Sequence, residues 1–271
     1  MRAAPDTESA RSATLHPFDL GVVPYEPVQD LQGRLRRAVS LRQGPAVLLL
    51  LEHEPVITLG THALRSDVHD QTAAAARGVR IAQSDRGGQC TLHAPGQLVS
   101  YPILPIPHRD LRAYVHDLEE VLLVLLRALD IDAHRSDKRP GLFCGGRKIA
   151  SLGLRCEHGI ASHGTALNVS NDLSLFDLIT SCGEPGLRQI SVQQAAGRTF
   201  TVDEFKAWYI EAFRLVFGAT LAPLRRLSYA LVEDSLRLTA LPTEGACKQR
   251  LMPTAGFEPA TPGSGGQCSI P

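Results

Sequence analysis

The sequence predicts an α+β domain in which helices flank a mixed β-sheet. Helical and strand-like segments are interspersed along the chain, without the strict alternation of a doubly wound parallel sheet. The composition, 44% hydrophobic and 21% charged, is that of an ordinary globular protein. A chain of 271 residues can bury a substantial core. We expect one catalytic-sized domain over residues 17–225, a disordered polar tail at 1–16 and a largely disordered extension at 226–271.

The N-terminal half contains the patterns of one helix and three strands. Apolar residues recur at helical spacing before Gly44 ends the helix, at Leu31, Leu35, Ala38 and Val39. The uninterrupted apolar run 46–51 has the length of a buried strand rather than of a helix. Strands are also predicted at 79–83 and 97–106. Pro102 restricts its part of the last segment to an edge strand or to the end of a strand.

The C-terminal half contains two longer helices with a series of β-hairpins between them. Asp110 is the expected N-cap of a helix that runs to Leu129. Strand-like runs at 141–144, 148–155 and 160–169 are separated by short turns that contain glycine. A capping-box pattern at 201–204 opens a second helix, which ends at Gly218. The predicted apolar face of this helix consists of Phe205, Trp208, Ala212 and Leu215.

Charge and composition argue against several classes of protein. The chain has 28 basic and 28 acidic residues, so there is no general electrostatic case for nucleic-acid binding. The longest apolar runs, 46–51 and 121–126, are too short to cross a bilayer, and the polar N-terminus lacks the apolar region of a secretory signal. Six cysteines without a CxxC pair indicate a reduced protein. We therefore expect a cytoplasmic protein without a membrane partner and, because no large apolar stripe is left unexplained, a monomer.

Three segments carry residue types that are suited to chemistry. The first, RGGQCTLHAPGQ at 86–97, combines a fixed charge with a flexible Gly-Gly pair, although a turn followed by a strand has the same pattern. The second, GGRKIASLGL at 145–154, places Lys148 before an apolar strand, where most lysines are solvated charges. The third, at 163–186, contains Cys182 between Ser181 and Gly183. Such a loop suits an accessible nucleophile better than a core thiol.

Together these segments resemble the lipoyl(octanoyl) transferases of lipoate biosynthesis. The resemblance rests on EHEPVITLG at 52–60, the RGG…T…H…PGQ segment followed by YPI at 101–103, GRKIASLG at 146–153, HG…ALNV at 163–169 and CG at 182–183. These motifs occur in the family's order between Leu20 and Leu221. The resemblance implies the fold of the catalytic domains of biotin and lipoate protein ligases.

The resemblance also implies a reaction and its residues. The reaction is the transfer of an octanoyl group from octanoyl-acyl carrier protein to the lysine of a lipoyl domain, in a 2-oxoacid dehydrogenase or in the glycine cleavage H protein. The family's thioester-forming cysteine falls on Cys182, and the lysine that modulates it falls on Lys148. No cofactor and no metal is implied, and the activated donor removes the need for ATP. The implied acyl-binding residues are Arg86, Gly87, Gly88, Gln89, Cys90, Thr91, Leu92, His93, Ser151, Leu152, Gly153, Gly164, Thr165 and Ala166.

Two residues depart from the family pattern. The family usually has glycine where this chain has Ala94, and often an aromatic residue or histidine where it has Leu92. Because both residues lie beside His93, we expect them to alter the shape of the acyl pocket or the acyl length. The remaining thiols of Cys90, Cys144 and Cys156 are expected to be packing groups or bystanders.

Three other functions stay open on the sequence alone. An ATP-dependent lipoate or biotin ligase has the same implied fold, and a catalytically inactive acyl-binding module is a second possibility. A thiol peptidase is a third, with His93 or His163 as the partner of Cys182, although neither histidine lies in a peptidase signature. The presence of both Cys182 and Lys148 favours the transferase over the ligase and the inactive module.

Overall fold

A computed structural model of the chain describes residues 14–238 apart from 107–108 and 138–139. Its strands are β1 (His16–Val23), β2 (Val47–His53), β3 (Val56–Leu59), β4 (Arg80–Gln83), β5 (Cys90–His93), β6 (Gln97–Ile103), β7 (His134–Arg135), β8 (Leu142–Cys144), β9 (Arg147–Glu157), β10 (Ile160–Asn168) and β11 (Arg225–Arg226). Its helices are α1 (Tyr25–Ser40), α2 (Gln71–Ala76), α3 (Leu111–Arg127), α4 (Val192–Ala196), α5 (Val202–Phe217) and α6 (Val232–Ser235). No helix in this described part combines the length and the apolar character needed to cross a bilayer.

The strands form one large mixed sheet and one small sheet. The large sheet has the order β11-β1-β2-β6-β10-β9-β8-β7, and the small sheet has the order β4-β3-β5. In the large sheet β1 pairs in parallel with β2 and β11, whereas the pairs from β2 to β7 are antiparallel. The predicted α+β class with a mixed sheet is therefore confirmed.

Both faces of the large sheet are covered by helices. Leu48 and Leu50 of β2 belong to the core that packs against α3 and α5. Leu49 and Leu51 of the same strand belong to the core that packs against α1. Since successive side chains of a strand point to opposite faces, a strand between two helix layers must be apolar throughout. This explains the uninterrupted run at 46–51 and confirms its prediction as a strand.

The three long helices lie close to their predicted positions. The Asp110 side chain accepts hydrogen bonds from the backbone of Arg112 and Ala113 at the start of α3. At the start of α5 the predicted capping box is present between Thr201 and Glu204. The predicted apolar face of α5 is wrong in part, because Trp208 and Leu215 are 40% and 63% exposed. The buried face of α5 is formed by Val202, Phe205, Lys206, Tyr209, Ala212 and Phe213.

The hairpins of the second half are confirmed, and they bring the chemical segments into register. Strand β9 pairs with β8 and β10, with turns where the glycines predict them. Pro102 is not on an edge strand, because β6 lies between β2 and β10. It does lie one residue before the end of β6. The pairing of β6 with β10 has already stopped at Ser100. A missing backbone N–H at this position therefore costs no hydrogen bond to β10.

The folded domain extends beyond the predicted boundaries of 17 and 225. Leu15 is buried and forms a β-bridge with Leu221. Strand β11 pairs with β1, and Val232 of α6 is fully buried against the α1 layer. The carboxylate of Glu233 accepts two hydrogen bonds from Arg34 of α1, at 2.9 and 3.0 Å. The expected tail at 1–13 and the expected extension at 239–271 lie outside the described residues.

Candidate active site

Cys182 lies in a single 3-10 turn at the end of an irregular segment. The turn spans Ser181–Gly183, and the backbone of Cys182 is left-handed, with φ of +56°. A side-chain-bearing residue in this conformation costs about 1–3 kcal/mol, and such residues are enriched at functional sites. The turn is held by a hydrogen bond from the Gly183 N–H to Thr180 O and by one from the Thr180 N–H to Asp67 O. The half-buried thiol is therefore presented by a strained but well-anchored turn.

Lys148 at the start of β9 contacts this thiol directly. Its Nζ lies 3.0 Å from Cys182 Sγ, and the residue is only 2% exposed. The alternative that Lys148 is a solvated charge is thus wrong. The backbone of Lys148 forms a parallel bridge with the segment after the cysteine turn, donating to Arg188 O and accepting from the Ile190 N–H, both at 2.9 Å. The structure therefore joins two residues that are separated by 34 positions.

Gly141 packs against the aliphatic part of the Lys148 side chain and so determines its direction. A methyl group on Gly141 would lie 2.7 Å from Lys148 Cε and 2.8 Å from the carbonyl oxygen of Ala150. Only glycine leaves room for the lysine at this point. The Gly141 N–H donates to a carboxylate oxygen of Glu119 on α3, at 2.8 Å. That buried carboxylate is paired in turn with Arg135, at 3.2 Å.

Charges around Cys182 favour its thiolate. Burial raises the pKa of the thiol, but the Lys148 ammonium opposes burial through its charge and its hydrogen bond. The Ser181 hydroxyl at 3.8 Å and the charge of Arg86 act in the same direction, so that the pKa of Cys182 lies below its ordinary value. The Gln189 side chain donates to Ser181 Oγ at 3.3 Å, which leaves the hydroxyl hydrogen free to point at the sulfur.

The three predicted acyl-binding segments lie side by side. Gly164, Thr165 and Ala166 of β10 pair with Gly153, Leu152 and Ser151 of β9 in that order. The first segment joins them, because the Gly87 N–H donates to Leu154 O at 2.8 Å. A methyl group on Gly153 would also meet the Arg86 side chain at 3.0 Å. These adjacencies are what a shared acyl-binding site requires.

Arg86 acts as an anchor of its loop. The residue is 7% exposed, and its guanidinium donates to the carbonyl and the hydroxyl of Thr58, both at 2.8 Å, and to the carbonyl of Gly87 at 3.2 Å. Its Nε has no hydrogen-bond partner within the described residues. The neighbouring Asp85 accepts a hydrogen bond from His163 Nε2 at 2.6 Å and one from Arg155 at 2.7 Å. The loop is therefore fixed to β3, β9 and β10 at once.

Part of the first segment packs into the core of the small sheet. Cys90, Leu92 and Ala94 belong to the buried cluster beneath β3 and β5. Burial raises the pKa of Cys90 to about 12, which fits the expected packing thiol and not a reactive group. The side chains that depart from the family pattern, Leu92 and Ala94, therefore pack in this core.

The candidate histidines have partners of their own. His93 Nδ1 donates to Gln97 Oε1 at 2.7 Å, and Gln97 donates onward to Asn168 at 2.9 Å. His163 Nε2 donates a hydrogen bond to Asp85. Burial lowers the pKa of both imidazoles, and that of His93 lies well below its usual range. Within the described residues neither histidine forms a hydrogen bond with Cys182, so the structure does not support a peptidase-like pair.

The sequence does not point to several side chains that support Lys148, Cys182 and the Arg86 loop. Glu119, Gln189 and Thr58 have no distinctive local pattern, and the fold brings them to the site from other elements. Asp85 is an exception, since it directly precedes the RGG motif. Its position beside the motif is a sequence signal that could have marked Asp85 as a residue of the site.

Comparisons with known proteins identify the family of the chain. Residues 24–214 match the family described as the lipoyl protein ligase A/B catalytic domain. The chain belongs to this family. Relatives named octanoyltransferase come from Desulfovibrio desulfuricans, with 39% identity over 204 residues (74% of this chain and 86% of that protein), and from Rubrobacter xylanophilus, with 38% identity over 203 residues (73% and 91%).

Solved structures of lipoate protein ligases share the fold. The bi-partite lipoate protein ligase of Thermoplasma acidophilum aligns with a TM-score of 0.64 at 15% identity and covers 84% of this chain and 99% of that chain. A lipoate-protein ligase A bound with ATP aligns with a TM-score of 0.60 at 16% identity and covers 82% and 92%. The predicted lipoate-ligase-like fold is confirmed.

Proposed function

We propose that this octanoyltransferase-like enzyme moves an octanoyl group from octanoyl-acyl carrier protein to the lysine of a lipoyl domain, through a thioester on Cys182. The acceptors are the lipoyl domains of 2-oxoacid dehydrogenases and the glycine cleavage H protein. The 3.0 Å contact between Lys148 Nζ and Cys182 Sγ carries the proposal. A buried ammonium beside a thiol favours the thiolate, which is the nucleophile that covalent acyl transfer needs. The relatives named octanoyltransferase support the choice of acyl group.

In the first half-reaction the Cys182 thiolate attacks the carbonyl carbon of the donor thioester. A bond forms between this carbon and Sγ, and the carbonyl oxygen takes up the displaced electron pair. When the tetrahedral adduct collapses, the bond to the donor sulfur breaks and that sulfur leaves as a thiolate. Lys148, within hydrogen-bond distance of Sγ, gives the leaving thiolate a proton and becomes neutral.

In the second half-reaction the acceptor amine attacks the acyl-cysteine. The acceptor lysine is mostly protonated at neutral pH and must first lose a proton to solvent. A bond then forms between its nitrogen and the carbonyl carbon, and the bond from this carbon to Sγ breaks. The neutral Lys148 takes the second proton of the attacking amine. The thiolate and ammonium of the resting pair are thereby restored.

A larger thiolate population is too small an effect to be the whole contribution of Lys148. An unperturbed cysteine with a pKa near 8.5 is about 3% thiolate at neutral pH. For each unit by which its pKa falls, the thiolate fraction rises by at most about tenfold, while the intrinsic nucleophilicity falls about threefold. The net gain of about threefold per unit is modest. For this reason we assign both proton transfers to Lys148.

The three alternative functions account for fewer of the contacts observed at the site. An ATP-dependent ligase activates its acyl group as an adenylate and needs no nucleophilic thiol, so the contact between Lys148 and Cys182 would have no role in it. An inactive acyl-binding module has no use for a lysine buried against a thiol, because burial of an ammonium is costly. A thiol peptidase needs a histidine at the cysteine, whereas His93 and His163 are bonded to other side chains.

Intact-protein mass spectrometry tests the proposal. The parent protein, mixed with octanoyl-acyl carrier protein, should gain one octanoyl group, and an added lipoyl domain should then remove it. The Cys182→Ala variant should gain none, while Cys156→Ala, which removes an exposed thiol, should behave like the parent. Octanoylation of the lipoyl domain without an adduct would rule out the thioester route. Transfer that depends on ATP and free octanoate would favour the ligase.

We also propose that the enzyme works as a monomer in the cytoplasm, without a nucleic-acid or membrane partner. The balanced charge of the chain and its short apolar runs support this. Light scattering on the purified full chain should give the mass of one copy.

A further inference from the structure

The side chain of Gln89 lies directly against the residue that follows the nucleophile. Its carboxamide fills the space in which a side chain at Gly183 would begin: Gln89 Oε1 overlaps the position of a methyl group there, and Nε2 lies farther from it, at 2.8 Å. The amide therefore packs on the Cα of Gly183, whose φ is +65°. This contact explains why glycine follows Cys182, and it places a polar group beside the turn that carries the thiol.

The Gln89 carboxamide is free to interact with a ligand. It is exposed and forms no hydrogen bond or ion pair with any residue that the structure describes. Because neither of its ends is partnered, the amide can turn its oxygen or its nitrogen toward the thiol without losing a hydrogen bond. By contrast, the guanidinium of Arg86 already donates to Thr58 and Gly87, and Lys148 is bonded to the thiol itself.

The backbone that carries Gln89 is held on both sides. The carbonyl of Gln89 accepts from the Gly60 N–H at 3.4 Å, and the carbonyl of Gly88 accepts from the His62 N–H at 3.1 Å. Two residues earlier, Gly87 is bonded to β9. The anchored backbone keeps the carboxamide beside the Cys182 turn, so that only the side-chain torsions of Gln89 must adjust for an N–H to face charge that develops there.

We propose that the Gln89 amide N–H donates a hydrogen bond to the oxyanion of the tetrahedral adducts formed at Cys182. The proposal rests on the proposed thioester route. When Sγ adds to the donor carbonyl, the electron pair of the C=O bond moves to oxygen, and Gln89 stabilises the resulting negative charge. The pair returns to the carbonyl when the donor sulfur leaves. The same donor serves the second half-reaction, in which the amine adds to the acyl-cysteine and Sγ leaves.

Two substitutions separate hydrogen bonding from packing. Gln89→Met keeps a stem of similar length against Gly183 but removes both N–H donors, and Gln89→Ala removes the stem as well. Single-turnover acylation of Cys182 by octanoyl-acyl carrier protein should fall by about 100-fold or more in both variants, with little change in KM. Alkylation of the same thiol by iodoacetamide should stay within about twofold of the parent, since displacement of iodide develops no oxyanion. An exposed glutamine remote from the site, Gln43, provides the control Gln43→Ala.

The outcomes distinguish this role from its alternatives. Near-parental acylation by Gln89→Met would overturn the proposal and assign any loss in Gln89→Ala to packing on Gly183. An equal loss of acylation and alkylation would also overturn it, because the thiol itself would then be disturbed. If the parent alkylates normally but forms no octanoyl adduct, the thioester route fails first and the proposal fails with it. Parental behaviour of Gln43→Ala shows that the loss belongs to position 89.

Discussion

Lys148 is a buried lysine whose ammonium contacts a thiol instead of a carboxylate. Burial of an unpaired ammonium is costly, and burial of a thiolate is costly too, so the two groups stabilise each other's charged forms. The pKa of the Cys182 thiol depends on this neighbouring lysine. Burial alone raises the pKa of the thiol, and the lysine is the largest of the effects that bring it below the ordinary value.

Replacing this lysine should therefore reverse the direction of the thiol shift. In Lys148→Met burial dominates, and we expect the pKa of Cys182 to rise above its ordinary value and acylation at neutral pH to fall by about 100-fold or more. Lys148→Arg keeps the charge and should retain a lowered pKa, yet it should lose the proton transfers and with them most of the turnover. The pH dependence of iodoacetamide alkylation measures the first effect, and single turnover measures the second. Full activity of Lys148→Arg in both half-reactions would exclude the proton-transfer role, and the exposed neighbour in Arg147→Met provides the control.

The sequence points to both members of the proposed reactive pair, whereas it does not point to the residues that support them. Cys182 and Lys148 lie in motifs that are continuous along the chain. Glu119 acts through one hydrogen bond to Gly141, and Gln189 acts through one to Ser181. Such contacts depend on how elements pack, and a lone glutamate or glutamine in a sequence carries no sign of them.

At the scale of elements, the loop before β8 controls where Lys148 points. We expect Gly141→Ala to displace the lysine stem, because the new methyl group would lie 2.7 Å from Lys148 Cε. Turnover should fall at least about tenfold, since small misplacements of catalytic groups have large effects. The matched control is Gly145→Ala in the β8–β9 turn, which also has positive φ but no atom within 4 Å of the added group. It should lose about 1 kcal/mol of stability and keep its activity. Equal activity of both variants in the single-turnover assay would contradict this role of Gly141.

Elements with a regular pattern were predictable, and elements interrupted by buried polar residues were not. The long helices have their caps and periodicity in the local sequence. Strand β1 does not, because a bulge between Asp19 and Val22 breaks its alternation. Asp19 is also 3% exposed, and its partner Lys206 belongs to α5, at 2.7 Å. A charged residue is acceptable inside a strand only with such a distant partner, which the sequence does not reveal.

For the molecule as a whole, the buried histidines couple stability to pH. His53 Nδ1 donates to Val23 O at 3.1 Å, and His53 Nε2 accepts from the Tyr101 hydroxyl at 2.9 Å, which fixes a neutral tautomer. Burial lowers the pKa of His53 to about 4. Burial also lowers the pKa values of His93 and His163. In the unfolded chain all three imidazoles bind protons near their ordinary pKa of about 6.5, so the unfolded state takes up more protons in the interval below that value.

The free energy of unfolding should consequently decrease as pH falls from about 6.5 to about 4, with His53 alone contributing about 2–3 kcal/mol. A folded-state pKa below the unfolded one means that this stability is fully present above about pH 6.5 and is lost on the acid side. Urea unfolding near pH 7.5 and about pH 4.5 measures the effect. His53→Asn should be less stable at the higher pH, because it loses its packing and hydrogen bonds, but its stability should depend less on pH by that same 2–3 kcal/mol. The exposed His158 gives the control His158→Gln, which should follow the parent. An unchanged pH slope in His53→Asn would mean that the loss of stability in acid comes from other groups.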